Sequence, residues 1–426
     1  MRDLGGSAVR VLALLAALVA LSSCKLSVAG EPPTGQDFAE IERGRYLTAV
    51  ADCTACHTDP ADSNPFAGGR PIQTPFGTVL AANITPDEQT GIGSWTLEQF
   101  DAAVRQGRRP DGKRLYPAMP YPYYTKMSRS DVAAIRAYLL TLAPVHKQVD
   151  SNQLPFPFDI RWGMRLWDAL YFKAGPFEAD PSKPQAWNRG AYLVQGPGHC
   201  AACHTPKTWS GADHKDQALQ GYSLQGWFAP NITNDPRRGL GNWSSEDLVA
   251  YLKTGHNRFA GASGPMAEEV VHSSSRMTDS DLSAIATYLE SKPAGAAASG
   301  KALSAANAVM TSGAAIYQDL CSACHRADGS GVPYLIPDLS HSASVQSREA
   351  TSMLHVVLEG AQTAATADEP TGPSMPAFGW QLDDAQVAAV TTYLRNSWGH
   401  AAAATTAGDV RKVREDLRAS TARATP

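Results

Sequence analysis

The sequence predicts a mainly α-helical protein made of three tandem domains with loop-rich pockets. Three observations predict this architecture. The pentapeptide Cys-x-x-Cys-His occurs three times, the segments around its first two copies match each other, and each segment ends in an amphipathic helix with a capping residue. The 35 glycines and 29 prolines among the 426 residues indicate that many loops connect the helices.

The three pentapeptides contain six of the seven cysteines of the chain. Two thiols at this spacing can each add to one vinyl group of a haem, and the histidine that follows then presents its imidazole to the iron. The sequence therefore predicts three covalently attached haem c groups. The attaching residues are Cys53, Cys56, Cys200, Cys203, Cys321 and Cys324, and the proximal iron ligands are His57, His204 and His325.

The first two haem segments are copies of one unit. Gly44-Arg-Tyr46-Leu47 precedes the first motif as Gly190-Ala-Tyr192-Leu193 precedes the second, and an Asn-Ile-Thr triplet follows each of them. Agreement at separated points indicates duplication of a folded unit. The third segment is more divergent and matches mainly at Gly313-Ala-Ala-Ile-Tyr317 and in its final helix.

Each unit is predicted to end in a helix with an N-terminal cap. Ser128, Thr278 and Asp383 can each accept a hydrogen bond from the amides of the first turn. The apolar residues that follow fall on one helical stripe. An N-terminal helix leading into the haem motif and a C-terminal amphipathic helix packing on it describe the mono-haem cytochrome c fold. The prediction is therefore three tandem mono-haem cytochrome c-like domains.

The domain boundaries follow from these units and from the composition of the connecting segments. The predicted segments are a signal peptide with a lipid-attachment motif at 1–24, a first domain at 36–150, an aromatic connector at 151–186, a second domain at 187–292, a flexible linker at 293–308, a third domain at 309–398 and a mobile tail at 399–426.

The sixth iron ligand is predicted to be a methionine in a loop before each final helix, because His/Met ligation gives a closed electron-transfer site. Met119 and Met266 each lie 62 residues after the proximal histidine, and Met375 lies 50 residues after His325. A proline next to each of these methionines is expected to stiffen the loop.

Other residues compete for the distal position. Met127 and Met277 begin the final helices of the first two units, where a role in the hydrophobic core is favoured. His256 and His272 flank Met266 and leave bis-histidine ligation open. Two further interpretations are open for Asn83, Asn231, Trp95 and Trp243, which either line the haem pockets or serve turns and core packing.

The connector is dense in aromatic residues between Arg161 and Phe172. One interpretation is that it packs in a groove between the first and second domains. The alternative is that it forms a docking surface for a partner subunit or the membrane interface, where Trp and Arg are favoured anchors.

The N-terminus predicts export. A positive start and an apolar run from Val11 to Leu21 indicate a signal peptide, and Leu21-Ser-Ser-Cys24 is typical of a bacterial lipidation site at Cys24. Ordinary cleavage after Val28-Ala-Gly30 is the alternative. No later apolar run approaches 18 residues, so no membrane-spanning helix is expected. The net charge of −4 favours no nucleic-acid partner.

Taken together, the haem motifs and five further segments resemble the three-haem cytochrome c subunits of membrane-bound periplasmic dehydrogenases. Those segments are Asn83-Ile-Thr-Pro86, Tyr116-Pro-Ala-Met-Pro-Tyr121, Trp187-Asn-Arg-Gly-Ala-Tyr-Leu193, Gly264-Pro-Met-Ala-Glu268 and Met375-Pro-Ala-Phe378. The resemblance implies an electron-transfer subunit without catalytic residues of its own.

The implied partners are a catalytic subunit of the flavin, quinone or molybdenum type, with a small third subunit as a further candidate. Ubiquinone or another carrier is the implied acceptor, and the implied location is the periplasm at the membrane surface. In relatives, the stretch that corresponds to the aromatic connector contacts the catalytic partner. Two alternatives stay open: a stand-alone haem oxidoreductase of the peroxidase-like or sulfur-oxidising kind, and an oxidase-associated cytochrome.

Overall fold

The structure is a computed structural model that describes residues 37–295 and 300–424. The predicted signal peptide and Cys24 lie outside the described residues, as do four positions, 296–299, of the predicted linker. Within the described ranges, no helix has the length and apolar character needed to cross a membrane.

The first domain surrounds the first haem motif, which lies on the short helix α2. Its elements are α1 (Phe38–Val50), α2 (Cys53–His57), β1 (Pro71–Thr74), β2 (Gly77–Leu80), α3 (Leu97–Gln106), α4 (Tyr121–Tyr124) and α5 (Arg129–Leu139). The two strands form an antiparallel hairpin. The connector adds β3 (Asn152–Gln153), which pairs with β2, and then forms helix α6 (Gly163–Tyr171).

The second domain repeats this order of elements. They are α7 (Gln185–Gln195), α8 (Ala201–His204), β4 (Tyr222–Leu224), β5 (Trp227–Ala229), α9 (Ser245–Thr254), α10 (Pro265–His272) and α11 (Asp279–Glu290). The third domain has a π-helical turn, Tyr317–Cys321, before its motif helix. Its other elements are α12 (Ala308–Ile316), α13 (Ser322–His325), α14 (Thr351–Glu359), β6 (Ala361–Gln362), β7 (Ser374–Met375), α15 (Asp384–Asn396) and α16 (Ala407–Ala424). Short 3₁₀ turns lie at Lys215–Gln217, Ser274–Arg276 and Leu339–His341.

The predicted caps of the three final helices are confirmed. The side chains of Ser128, Thr278 and Asp383 each accept a hydrogen bond from the backbone amide three positions later. In each domain the final helix crosses the first helix at a glycine. A Cβ atom would lie 1.8 Å from the Ala134 carbonyl oxygen if added to Gly44, and 1.9 Å from that of Ala284 if added to Gly190. Only glycine permits this close crossing.

The first two domains are joined by the same contact made in both directions. Tyr46 of the first domain donates to Asp281 of the second at 2.5 Å, and Tyr192 of the second donates to Asp131 of the first. Each aspartate also pairs with an arginine of its own domain, Arg43 with Asp131 and Arg189 with Asp281. The third domain has Ser312, Ala315 and Gln386 at the corresponding positions and cannot form these pairs.

These contacts predict a loss of stability in acid. Burial favours a higher pKa for Asp281, but the hydrogen bonds from Arg189 and Tyr46 outweigh it and leave the pKa below its ordinary value. Because the folded-state pKa is depressed, this stabilisation is present above the unfolded pKa of about 3.9 and is lost as pH falls through the folded value. We expect the free energy of unfolding in urea to fall less steeply between pH 7 and pH 3 in Asp281→Asn than in the unchanged protein.

The control for that experiment is Asp279→Asn, because Asp279 lies on the same helix with a side chain that is 82% exposed. Asp279→Asn should leave the pH dependence of the free energy of unfolding unchanged. Equal effects of the two substitutions would show that the junction between the domains does not carry the acid sensitivity.

The third domain contacts the second through α14 and the hairpin of β4 and β5. Ser352 both donates to the Phe228 carbonyl, at 3.0 Å, and accepts from the Phe228 amide, at 2.9 Å. The rings of Trp227 and His355 lie 4.5 Å apart across the same junction. The third domain is therefore held by backbone and ring contacts and by an ion pair of Lys253 with Asp368 at 3.8 Å, whereas the first two domains share reciprocal tyrosine–aspartate hydrogen bonds.

The prediction of a mobile tail at 399–426 is contradicted over the residues that the structure describes, which extend to 424. Residues Ala407–Ala424 form helix α16, whose Val410 and Val413 are buried against the third domain. Arg414 donates to the Asp384 carboxylate at 2.8 Å and to two backbone carbonyls. Val410, Val413 and Leu417 fall on one face of the helix and form an apolar stripe. This stripe packs on the third domain although most of the segment is charged or polar.

Candidate haem sites

The three motif histidines are held in the same way. The Nδ1–H of His57 donates to the Ala82 carbonyl at 2.6 Å, and that of His204 donates to the Pro230 carbonyl at 2.6 Å. In the third domain His325 Nδ1 lies 3.4 Å from the Pro337 carbonyl oxygen. A hydrogen bond at Nδ1 fixes the tautomer and leaves Nε2 as the atom available to a metal.

Each carbonyl that accepts a hydrogen bond from a motif histidine belongs to the residue just before a polar residue that caps a turn. Asn83 accepts from the Thr85 amide at 2.9 Å, and Asn231 accepts from the Thr233 amide at 2.7 Å. Asp338 occupies the same place in the third domain and accepts from the Ser340 amide at 2.9 Å. The turn interpretation therefore accounts for both asparagines. Asp338 was not singled out by the sequence, although the order polar–apolar–hydroxyl is common to all three copies.

The motif cysteines lie in surroundings that disfavour thiolates. Burial raises the pKa of Cys53 and of Cys200 to about 12. Cys321 is also partly buried, and its pKa rises to about 11 for the same reason. A thioether carries no charge, so these positions suit covalent attachment better than metal binding by thiolate or redox exchange. Cys324 differs because it is exposed.

A large cavity adjoins the first motif. Its lining includes Cys53, Cys56, His57 and Met119, and it extends to Cys203 of the second domain and Leu354 of the third, with a total volume of about 1510 Å³. Apolar residues such as Trp95 line the same cavity. Two cysteines, a histidine with a free Nε2 and a thioether around one apolar space are the donor set of a c-type haem, so the residues present fit that group.

The other two predicted methionines are not in loops. Met266 is the second residue of helix α10 and packs beside Val270 and Ala364. Met375 ends strand β7, opposite Ala361, and packs in the core of the third domain. Pro265 at the first helical position explains the difference in the second domain, because proline favours a helix start there.

The competing residues have other surroundings. Met127 and Met277 are almost fully buried in the hydrophobic cores of their domains. His256 is buried and its Nδ1 lies 3.3 Å from the Thr254 carbonyl oxygen, while Nδ1 of His272 has no hydrogen-bond partner. Trp243 stacks on Phe259 with ring centroids 5.8 Å apart.

The first and second motifs are neighbours. Helix α10 of the second domain contacts α2 of the first, and Ser273 donates to the Val50 carbonyl at 3.2 Å. In the opposite direction, the rings of Tyr124 and His199 lie 5.5 Å apart. The segment after each predicted methionine thus reaches the motif region of the other domain.

Comparisons with known proteins agree with this geometry. The family model described as Cytochrome c matches residues 41–143, 188–292 and 310–398. The gluconate 2-dehydrogenase cytochrome c subunit of Pantoea cypripedii is 38% identical over 95% of this chain and 96% of its own length. The fructose dehydrogenase cytochrome subunit of Gluconobacter japonicus is 39% identical over 90% of this chain and 84% of its own.

A third relative is the cytochrome c subunit of alcohol dehydrogenase (quinone) from Gluconacetobacter polyoxogenes, 37% identical over 89% of this chain and 85% of its own length. The predicted fold class, mainly α with three tandem cytochrome c domains, is confirmed, as is the count of three haem c groups. The chain belongs to the cytochrome c family and is a multi-haem member of the kind found as cytochrome c subunits of dehydrogenases.

Proposed function

We propose that this chain takes electrons from the catalytic subunit of a dehydrogenase and passes them through its three haems to ubiquinone or another carrier. The observation that carries the proposal is the common way in which the histidines of three motifs are held, with Nδ1 directed to a backbone carbonyl. Relatives named as cytochrome subunits of gluconate, fructose and alcohol dehydrogenases support it.

The proposed ligand sets come from the sequence, and the cavity that Cys53, Cys56, His57 and Met119 share supports the first of them. Cys53 and Cys56, Cys200 and Cys203, and Cys321 and Cys324 would attach the haems, and the iron would be held by His57 with Met119, His204 with Met266, and His325 with Met375. When bound, the haem iron supplies one-electron exchange between its ferric and ferrous states.

The residues of the chain set the conditions of that exchange. The carbonyls at Ala82, Pro230 and Pro337 orient the imidazoles, and a methionine at each distal position would close that position to water and peroxide. A closed site favours electron transfer over oxygen or peroxide chemistry. This is why the stand-alone haem oxidoreductase is the weaker candidate, and no specific observation favours the oxidase-associated cytochrome.

The connector is the proposed docking surface for the catalytic subunit. Helix α6 exposes an apolar face, with Leu166 at 60% and Leu170 at 65%, and Trp162 before it at 72%. Its Trp167 instead donates to the Ser210 carbonyl of the second domain at 2.9 Å. Both interpretations of the connector therefore have support, since Trp167 packs on the second domain while Leu166 and Leu170, which line the cavity beside the first motif, leave apolar surface exposed.

Association with the periplasmic face of a membrane is proposed through lipid at Cys24, which lies outside the described residues, and through the partner. A small third subunit is a further proposed component of the complex. Mass measurement of the mature N-terminus tests the lipid: a diacylated cysteine is the expected result, and a chain that begins after Gly30 contradicts it.

The function is tested on the complex as purified from its host. Gluconate, fructose and ethanol, the substrates suggested by the relatives, are added in turn, and reduction of the haems is followed by absorbance. We expect one of these substrate classes to reduce the haems of the complex and none to reduce the isolated chain. Peroxide turnover by the isolated chain would favour the stand-alone enzyme.

The docking surface is tested by Leu166→Asp with Leu170→Asp, which should abolish co-purification of the catalytic subunit. Leu335→Asp is the matched control, because Leu335 of the third domain is 57% exposed and lies outside the connector. Retention of the partner by the double variant contradicts this assignment.

A further inference from the structure

The connector makes hydrogen bonds and an ion pair with the loop that carries Met119, although the two segments are distant in sequence. Asp168 of helix α6 accepts a hydrogen bond from the Tyr121 hydroxyl at 2.7 Å, and its other carboxylate oxygen lies 3.3 Å from Arg114 Nη1. Asp168 is only 6% exposed. Helix α6 therefore directs a carboxylate toward the first domain, while its exposed Leu166 and Leu170 line the cavity beside the first motif.

Arg161 and Phe172 extend the contact to both ends of the same loop. Arg161 donates to the Arg114 carbonyl at 2.9 Å, and its guanidinium lies 4.8 Å from the centre of the Tyr116 ring. The Phe172 ring meets that of Tyr121 edge-on at 5.2 Å. In return, the Tyr116 hydroxyl donates to the Phe158 carbonyl of the connector at 2.8 Å.

Met119 lies between the residues that the connector holds and is bonded to both of them. Its amide donates to the Tyr116 carbonyl at 3.0 Å, and its carbonyl accepts from the Tyr121 amide at 2.7 Å. Pro120 stiffens the step between Met119 and Tyr121. A displacement of Tyr116 or Tyr121 would therefore move the Met119 backbone.

The corresponding methionines of the other domains are held differently. Met266 lies within helix α10, and Met375 lies in a strand pair made within the third domain. Secondary structure of their own domain places these two residues. The Met119 turn lies between the Arg108–Arg114 bridge and the four-residue helix α4, and the connector adds contacts at both of its ends.

We propose that Asp168 and Arg161 are positioning residues that hold the Met119 loop against the first haem. The inference rests on the proposed function, in which Met119 is the distal ligand of that haem. It assigns the connector a second role in addition to docking, which is to keep the first iron closed.

The energetics of the contact favour this role. A buried carboxylate is costly unless it is paired, and burial raises the pKa of Asp168. Removing it leaves the buried Tyr121 hydroxyl without its acceptor, which is the more expensive way to lose a buried hydrogen bond. Arg114 loses an ion-pair partner but still donates to the Gln106 carbonyl at 3.0 Å. We expect the loop to relax and Met119 to leave the iron in part of the molecules.

The test compares Asp168→Ala with Met119→Leu in the full three-haem protein. The readouts are the weak red absorption band of methionine-ligated ferric haem and a redox titration that resolves the three potentials. We expect both variants to weaken the band, by at most about one third because one haem in three is affected, and to lower the same single potential. Asp168→Asn keeps an acceptor for Tyr121 and should change the band less.

Asp159→Ala is the matched control, since Asp159 is an exposed carboxylate on the same connector. The positioning role is overturned if Met119→Leu alters the red band and one potential while Asp168→Ala and Tyr121→Phe leave both unchanged. A Met119→Leu protein with an unchanged band instead shows that the ligand assignment itself is wrong. If Asp168→Ala fails to fold, Asp168→Asn and Tyr121→Phe provide the same comparison.

Discussion

Substituting Met266 by leucine is expected to lower the potential of one haem by on the order of 100 mV, a part of the roughly 0.8 V range that axial ligands span. Leucine keeps the size of the side chain but removes the sulfur that, as the proposed ligand, would stabilise ferrous iron, so the remaining histidine-only site would favour the ferric state. The redox titration should show one component displaced and two unchanged. The red band of methionine-ligated ferric haem should weaken as well.

Met277→Leu is the matched control in the same domain. Met277 is 3% exposed and belongs to the hydrophobic core of the second domain, so this substitution conserves volume and should leave all three potentials in place. If Met277→Leu displaces a potential and Met266→Leu does not, Met277 is the ligand and Met266 is a core residue. If neither variant displaces a potential, His256 and His272 become the candidate ligands of the second haem.

The second large effect is expected at the helix crossings. Gly190→Ala places a Cβ atom 1.9 Å from the Ala284 carbonyl oxygen and 2.9 Å from the Tyr288 Cβ, so helices α7 and α11 must separate. Overpacking of this kind costs about 1–3 kcal/mol, which exceeds the gain of about 1 kcal/mol from replacing glycine in a helix. We expect a lower midpoint in chemical unfolding and incomplete haem attachment in the second domain.

Gly163→Ala provides the comparison. Gly163 begins helix α6 and has no atom within 4 Å of an added Cβ, so the substitution should be neutral or slightly stabilising. Haem content is measured by the pyridine haemochrome spectrum per polypeptide. Full haem content and an unchanged midpoint in Gly190→Ala would mean that the crossing can widen without cost.

The sequence predicted the parts of the sites that depend on local pattern. The motif spacing specified the haems, and the capping residues Ser128, Thr278 and Asp383 located the final helices, because a cap and an apolar stripe are properties of a short segment. The carbonyls that orient the histidines were not predicted. The repeats drew attention only to Asn83 and Asn231, which follow two of these carbonyls, and Asp338 was missed because it replaces the asparagine in the third turn.

The contacts that were not predicted join segments distant in the chain. Asp168 resembles any charged residue of an amphipathic helix until the fold places it on the Tyr121 hydroxyl, 47 positions away. The tail was misread because Val410 and Val413 stand among charged residues, and only the surface of the third domain gives them a burial site. Tertiary packing decides such positions, whereas propensity does not.

The reciprocal pairs of Tyr46 with Asp281 and Tyr192 with Asp131 have an implication for symmetry. A patch that meets its own copy through the same residues in both directions is the signature of an isologous, two-fold interface. The first two domains thus meet, within one polypeptide, as two copies of one subunit meet in a symmetric dimer. The third domain lacks the matching residues and lies outside this symmetry.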